Sequence, residues 1–284
     1  MPQNYIEVSI HADVDSGELY AMLQDSEALG CWEEKGIIHI YWSENNWTPE
    51  TLGELQKILA FLGAAYTDPS PAVKLIPEKD WNAVWAASLV PLHIGGRIRI
   101  RQSWHAANPD FNGIELVIDP KRAFGTGHHE TTQLVIEWLE RRIRGGERIL
   151  DIGTGTGILA MAALRLGARS ALAIDNDPVG LECAGEYAAV NGFGKELDLQ
   201  TGSFEDLNAG AFDVVVANLN GKIMPKLCAI LPGILEPAGI ACLSGLLQQD
   251  YDEVAAALCN TVLQINARMD RGEWLALEVS KKPR

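Results

Sequence analysis

Ile149-Leu150-Asp151-Ile152-Gly153-Thr154-Gly155-Thr156-Gly157 is the stretch that decides the fold. Mostly aliphatic residues lead into three glycines at alternate positions, and Ile158–Leu166 then takes up helical spacing. Strand, glycine-rich turn and helix in that order make a nucleotide-binding corner, because glycine lets the backbone approach a ligand and adopt dihedrals that a Cβ forbids. Taken alone, the same pattern also fits a plain tight turn. Two details point to S-adenosylmethionine rather than a dinucleotide. The spacing is Gly-x-Gly-x-Gly, not the Gly-x-Gly-x-x-Gly that seats a pyrophosphate on a helix terminus. Asp151, just before the loop, is unwelcome beside a pyrophosphate and suited to a cationic ammonium group.

Strands and helices alternate on the C-terminal side of this corner. Strands are expected at Arg148–Ile152, Ala171–Ile174, Asp198–Gln200, Asp213–Ala217, Gly239–Ser244, Val262–Ala267 and Trp274–Ser280, with helices between the first six. Near-continuous apolar runs such as Val214-Val215-Val216-Ala217 are what a parallel sheet covered on both faces requires. Only the turn-like Met269-Asp270-Arg271-Gly272 separates the last two strands, which predicts an antiparallel hairpin. The expectation is an α/β chain whose seven-stranded, mostly parallel sheet ends in that hairpin, as in the Rossmann-like methyltransferase fold.

The N-terminal side reads differently. Tyr5–Ile10 and Gly36–Trp42 are strand-like, and Ser16–Leu29 and Pro49–Leu62 are helix-like, which suggests a small α+β domain, ferredoxin-like in order. Thr67–Pro71 reads as a linker, Asp80–Leu89 as a connecting amphipathic helix, and Leu92–Trp104 and Ile114–Ile118 as strands. The expected division is residues 1–70 as an α+β substrate-recognition domain, 71–110 as linker and connecting elements, and 111–284 as the methyltransferase domain.

Charge follows this division. The 284 residues hold 23 Lys and Arg against 38 Asp and Glu, a net −15. Through Ala72 there are two basic and twelve acidic residues, so −10 resides in the first quarter of the chain. Such a balance argues against a nucleic-acid grip or an anionic membrane surface, both of which need basic patches, and suits a basic or neutral partner better. The five cysteines are scattered without a Cys-x-x-Cys pair, as in reduced cytosolic proteins. Neither a signal peptide nor an uncharged apolar run of about 18 residues is legible, so a cytoplasmic, membrane-free monomer is expected.

Candidate ligand residues sit where an α/β sheet binds its ligands, at strand C-termini. Asp175 falls 22 residues after Gly153, where a carboxylate can accept hydrogen bonds from both ribose hydroxyls, while Asp177 ahead of Pro178 suits a helix N-cap. Asn218 ends the strand Asp213–Ala217, where an amide can accept a hydrogen bond from a substrate amine and orient its lone pair; Asn218–Gly221 also fits an ordinary turn. Phe124-Gly125-Thr126-Gly127-His128-His129-Glu130-Thr131-Thr132 opens a helix and reads as a polar-ligand lid or a capped helix entry. His128 and His129 are adjacent and lack the i, i+4 spacing of helical metal ligands, so no metal is expected.

Together these segments resemble the ribosomal protein L11 methyltransferase family (PrmA). Its Phe-Gly-Thr-Gly-x-His-x-Thr-Thr is intact at Phe124–Thr132, its Asp-x-Gly-x-Gly-x-Gly-Ile-Leu-Ala at Asp151–Ala160, its Ile-Asp-x-Asp-Pro at Ile174–Pro178 and its Ala-Asn-Ile/Leu at Ala217–Leu219. Asp80-Trp81-Asn82 with Trp85, and Leu243–Leu247, are also familial. The resemblance covers Asp80 to the C-terminus well and the first 70 residues only in size and element order. It implies S-adenosylmethionine as cofactor, held at Thr132, Gly153, Asp175 and Asn218; the motif reading adds Phe124, Gly125, Thr126, Gly127, Asp151 and Gly155 around it and Asn218 as the catalytic position. It also implies N-methylation of lysine or N-terminal amines on ribosomal protein L11. His128 and Glu130 depart from the family's usual threonine and proline, and Asn220-Gly221-Lys222 replaces a less polar stretch, so a different protein lysine or a small amine or hydroxyl is the alternative acceptor. The acidic N-terminal domain is also what a non-catalytic scaffold would carry. The proton of the acceptor amine has Asn218 through water, Glu130 or either histidine as candidate acceptors.

Overall fold

The computed structural model describes residues 4–23, 27–34, 36–63, 72–76, 89–121, 123–207 and 210–283. The chain divides into two compact units, Met1–Val84 and Trp85–Arg284. The expected linker at Thr67–Pro71 and all but the last residue of the expected helix Asp80–Leu89 lie outside the described residues. Among those described, no helix is long and apolar enough to cross a membrane.

The first unit runs β1 (Tyr5–Ile10), α1 (Ser16–Met22), β2 (Gly30–Glu34), β3 (Ile37–Ser43), α2 (Pro49–Phe61) and β4 (Ala72–Ile76). Its sheet order is β2-β3-β1-β4 with every neighbouring pair antiparallel, which is the ferredoxin-like arrangement. Alternation builds the core: Ile6, Val8 and Ile10 of β1 and Ile38, Ile40 and Trp42 of β3 turn to one face, where Leu19, Leu23, Leu55 and Leu59 meet them. Two strands depart from the expected reading. The helix begun at Ser16 stops at Met22, and after Glu27, held at φ 57°, the chain enters β2 as an edge strand. Ala72–Ile76, expected in the connecting segment, is the opposite edge strand, so the first sheet extends past residue 70. Neither edge strand alternates in burial, so no period-2 signal marked it.

The second unit opens with a small sheet of β5 (Leu92–Ile94), β6 (Ile98–Arg101) and β7 (Ile114–Val117). The run expected as one strand from Leu92 to Trp104 is broken at Gly95, whose left-handed φ of 62° turns it back as a hairpin against the Glu140 carboxylate. The described part of segment 71–110 thus supplies β4 to the first unit and β5 and β6 to the second.

The remainder runs α3 (Glu130–Arg142), β8 (Arg148–Ile152), α4 (Ile158–Leu166), β9 (Ser170–Asp175), α5 (Pro178–Val190), β10 (Leu197–Thr201), β11 (Phe212–Asn218), α6 (Met224–Ile234), β12 (Leu235–Leu247), α7 (Tyr251–Cys259), β13 (Leu263–Arg271) and β14 (Trp274–Lys281). The sheet order is β10-β9-β8-β11-β12-β14-β13. The first five are parallel, and β14 lies antiparallel between β12 and β13. Neighbouring residues on one strand enter opposite cores: Ile149, Val214 and Val216 one, Leu150, Val215 and Ala217 the other. Burial on both faces is why these strands read as unbroken apolar runs. The helix expected between β10 and β11 is, among the described residues, only a 3₁₀ turn at Phe204–Asp206. The hairpin turn is also tighter than expected, since β13 runs to Arg271, which pairs with Trp274. Strand order reverses beside β8, and the crevice at the C-terminal ends of β8 and β11 is where such a sheet takes a ligand.

Candidate functional site

The glycine loop leaves β8 with Gly153, Gly155 and Gly157 at φ 71°, 53° and 79°, all in the left-handed region where a Cβ is penalised. A Cβ on Gly153 would collide with the Leu219 side chain, and one on Gly155 with the carbonyl oxygen of Phe124. Asp151 lies fully buried beneath the loop. Its Oδ2 accepts hydrogen bonds from Thr154 Oγ1 at 2.6 Å and from the Ala160 amide at 3.1 Å, bracing the turn and the first turn of α4. Oδ1 is buried with no partner among the described residues. Burial pushes this carboxyl up to about 7, the Asp175 charge adds to the shift, and the Thr154 and Ala160 hydrogen bonds oppose it. The residue expected beside an ammonium group is therefore enclosed under the loop rather than on the open surface of the crevice.

Asp175 stands at the end of β9, half-buried. Its Oδ2 accepts from the Gly155 amide at 2.8 Å and its Oδ1 from the Asp177 amide at 2.9 Å, leaving further lone pairs on both oxygens. Asp177 caps α5 by accepting from the Val179 amide at 2.9 Å, so capping and strand-end positions belong to different carboxylates.

The segment Phe124–Gly127 is laid on the glycine loop. Thr156 donates its hydroxyl to Gly125 O at 2.7 Å and its amide to Phe124 O at 3.0 Å. Gly125, at φ 110°, has no room for a Cβ against Thr156 Oγ1. His129 is the N-cap of α3, accepting at Nδ1 from the Thr131 amide at 3.3 Å, so an imidazole replaces the expected capping hydroxyl. Its ring is packed between Phe124 and Trp274, with centroids 5.4 and 4.9 Å away. Lys121, Ala123, Phe124, Gly125, Thr126, His128, His129 and Glu130 line a cavity of about 510 Å³.

The first turn of α3 carries the buried Thr132 to Asn218, whose Nδ2 donates to Thr132 Oγ1 at 3.5 Å. Asn218 lies opposite Ser244 in the β11–β12 register; the Ser244 hydroxyl donates to Thr131 O at 3.3 Å and its carbonyl accepts the Leu219 amide at 3.0 Å. Gly245, at φ 81°, leaves space for the Leu219 backbone. Leu219 is thus set between Gly153 and Gly245, which holds Asn218 at the mouth of the crevice. A second cavity, about 430 Å³, opens beside Asp175 at the ends of β9 and β10, among Ile174, Thr201, Gly202, Ser203 and Asp206.

Hydrogen bonds tie Asp151 and Asp175 to the glycine loop and the loop to Phe124 and Gly125, and a further one ties Asn218 to Thr132. Sequence reasoning gave no role to Thr156, Ser244, Trp274 or the cavity residues after β10. Leu243–Leu247 did carry a signal, as a familial stretch without a function attached. Trp274 and Thr201–Ser203 carried none, because only folding brings their strand ends to this edge.

The family model described as ribosomal protein L11 methyltransferase (PrmA) matches residues 8–282. A ribosomal protein L11 methyltransferase of Pelobacter propionicus is 36% identical over 248 residues, 84% of this chain and 80% of the relative. One of Desulforamulus reducens is 31% identical over 300 residues, covering 96% and 97% of the two chains. The solved structure of the ribosomal protein L11 methylase of Lactobacillus delbrueckii subsp. bulgaricus superposes with a TM-score of 0.64 at 34% identity, over 68% of this chain and 99% of that one. With the strand order, the glycine corner and the threonine-histidine loop in place, the chain belongs to the ribosomal protein L11 methyltransferase (PrmA) family.

Proposed function

We propose that this chain is a cytoplasmic, S-adenosylmethionine-dependent protein N-methyltransferase that modifies lysine or N-terminal amines of ribosomal protein L11, acting as a monomer. The observation that carries the reading is the cradle at the ends of β8, β9 and β11. Gly153 and Gly155 leave no space for a Cβ, the Asp175 carboxylate stands at the end of the neighbouring strand β9, and the Asn218 amide, bonded to Thr132, stands at the end of β11 on the other side of β8.

The residues fit the cofactor. Asp175 has lone pairs free on both oxygens for two ribose hydroxyls, and the cavity beside it, floored by Ile174 and rimmed by Ser203 and Asp206, can receive the base. Asp151 fixes the loop from below and, once ionised, would set a negative potential under it, with its unpaired Oδ1 the complement of a cationic amino group. Thr132 and the Phe124–Gly127 backbone would complete the enclosure. Bound S-adenosylmethionine supplies a methyl group on a positively charged sulfur, an electrophile that needs no enzymic nucleophile. The chain's task is then positioning. Asn218, with Nδ2 committed to Thr132, keeps Oδ1 to accept from an acceptor N–H and direct the nitrogen lone pair. The acidic first unit is assigned to recruiting a basic substrate, with −10 through Ala72 raising the encounter rate.

Incubating the chain and methyl-labelled cofactor with ribosomal protein L11 tests the reading. Label on lysine or the N-terminal amine is expected; labelled cofactor bound but no label on the protein would return the acceptor to the alternatives.

A further inference from the structure

The acceptor amine arrives protonated, since a free lysine titrates near about 10.4, and something must take its proton before the nitrogen can attack. Four groups near the site are candidates: Asn218, Glu130, His128 and His129. An amide has no useful basicity, which removes Asn218 as the proton acceptor. The two adjacent histidines differ in what their ring nitrogens already do. The Nδ1 of His129 accepts the Thr131 backbone amide at 3.3 Å, so this nitrogen carries the lone pair, committed to capping α3, and Nε2 carries the proton. The Nδ1 of His128 faces the Thr126 carbonyl oxygen at 3.3 Å. A carbonyl can only accept, so Nδ1 bears the proton in the neutral ring, and Nε2 is the bare lone pair. That Nε2 is buried and has no partner among the described residues. In the neutral ring the basic nitrogen of His128 is thus unengaged, and the residue lines the 510 Å³ cavity.

We propose that His128 is a catalytic base of this enzyme: its Nε2 takes one proton from the acceptor ammonium, leaving a neutral amine and an imidazolium, and Glu130, exposed on the same cavity, passes that proton to solvent. The inference rests on the amine-methylating function proposed above and names the group that makes the amine reactive. A buried acceptor without a donor costs free energy, and the acceptor N–H, entering on local adjustment of the loop, supplies the missing partner. The backbone beside the ring is anchored, because Gln133 Nε2 donates to His128 O at 2.9 Å and Gly127, at φ 89°, lies against Ile100 and Ile158, so the adjustment falls on the side chain and its cavity neighbours. The other titratable side chains on the cavity are Lys121, His129 and Glu130. Lys121 is ion-paired with Glu186 and lies 5.1 Å over the Tyr187 ring; the Glu186 hydrogen bond raises its affinity for the proton, which leaves it cationic and unable to act as base. His128 and Glu130 are also two of the departures from the family pattern, and they fall on one cavity.

The test uses the full chain, with His128→Gln and His129→Gln beside the wild type and ribosomal protein L11 as acceptor. With a histidine base, the wild-type rate should level off as pH rises. In His128→Gln, only the amine's own ionisation remains, so the rate should be lower by about a hundredfold near neutrality and keep climbing toward the wild-type value at high pH. Cofactor affinity, measured by calorimetry, should stay within about twofold in this variant. Nitrogen-15 spectra of the imidazoles, taken without cofactor, should show the Nδ1–H form for His128 and the Nε2–H form for His129. A His128→Gln enzyme within about threefold of wild type at neutral pH, or a His128 ring in the Nε2–H form, overturns the proposal. A wild type that labels no amine overturns the function on which it rests, and the two failures are told apart by whether wild type labels ribosomal protein L11 at all.

Discussion

The two sheets of this molecule bury themselves in different ways, and the difference decides where each can do chemistry. In the first unit, β1 and β3 alternate: one row of side chains enters the core, and Tyr5, Glu7, Ser9, Ile37, His39 and Tyr41 occupy the other face, half-buried. That face carries a connected set of polar and aromatic groups. Trp32 stacks on His39 at 5.1 Å and donates to Tyr41 Oη at 3.0 Å; Tyr41 donates to Glu7 at 2.7 Å; Ser9 Oγ lies 3.0 Å from His39 Nδ1. In the second unit, β8 and β11 are buried on both faces, leaving only strand ends available to a ligand. Polar residues at strand ends of this sheet, Asp175 of β9 and Asn218 of β11, are accordingly the ones drawn into the site. A one-sided sheet offers a surface, whereas a two-sided sheet offers an edge.

The largest effect expected from this contrast is at the edge. Gly155→Val puts a branched side chain at φ 53° and against the Phe124 carbonyl, so the glycine loop and the segment laid on it cannot both keep their places. Cofactor affinity should fall by more than about a hundredfold, a cost on the order of 3 kcal/mol or more. Calorimetric titration of a variant whose circular dichroism shows a folded sheet would reveal near-normal binding if the cradle is misassigned.

Asp175 should come next. Replacement by alanine would also strip the Gly155 and Asp177 amides of their acceptor, so Asp175→Asn is the cleaner probe: it keeps an acceptor oxygen and loses the charge. Affinity should drop by about 1.5–3 kcal/mol through loss of charge-assisted hydrogen bonds. Undiminished affinity in this variant would remove the ribose assignment.

Asp151 predicts a pH dependence. Its folded carboxyl is raised to about 7 from the 3.8 of an ordinary aspartate, so the folded state binds more protons than the unfolded one between these values, and stability should decline as pH rises from about 4 to about 7. A cationic ligand favours the ionised form, so cofactor affinity should strengthen over the upper part of that window, by about tenfold across one pH unit at most. Asp151→Asn should flatten both dependences. Persistence of the pH-dependent affinity in that variant would place the titrating group elsewhere.

The smallest effect belongs to the surface. Glu33→Lys, on the exposed edge strand of the first sheet, should lower kcat/KM for intact ribosomal protein L11 by about threefold at low salt and less at high salt, with no change on a short lysine peptide. An equal loss on the peptide would mean that the first unit does not act through recruitment.

Periodicity made the second unit legible and the first only partly so. Strands covered on both faces announce themselves as apolar runs, and glycines at left-handed φ announce the turn after β8. Edge strands β2 and β4 alternate in neither sequence nor burial, and the break at Gly95 is enforced by Glu140, 45 residues further along the chain. The stretch between β10 and β11 was read as helical, yet its described part makes only a 3₁₀ turn.

For the site, residue types alone proposed the loop, the strand-end carboxylate and the strand-end amide, because each answers a local requirement: close backbone approach, paired acceptors, a placed dipole. Only the tertiary structure decided what those groups have left to offer. It buried Asp151 under the loop, engaged one lone pair on each oxygen of Asp175, committed Nδ2 of Asn218 to Thr132, and set one histidine to capping while leaving its neighbour's Nε2 unpaired. Hydrogen-bond capacity is shared among partners remote in sequence, so its remainder is a property of the folded chain.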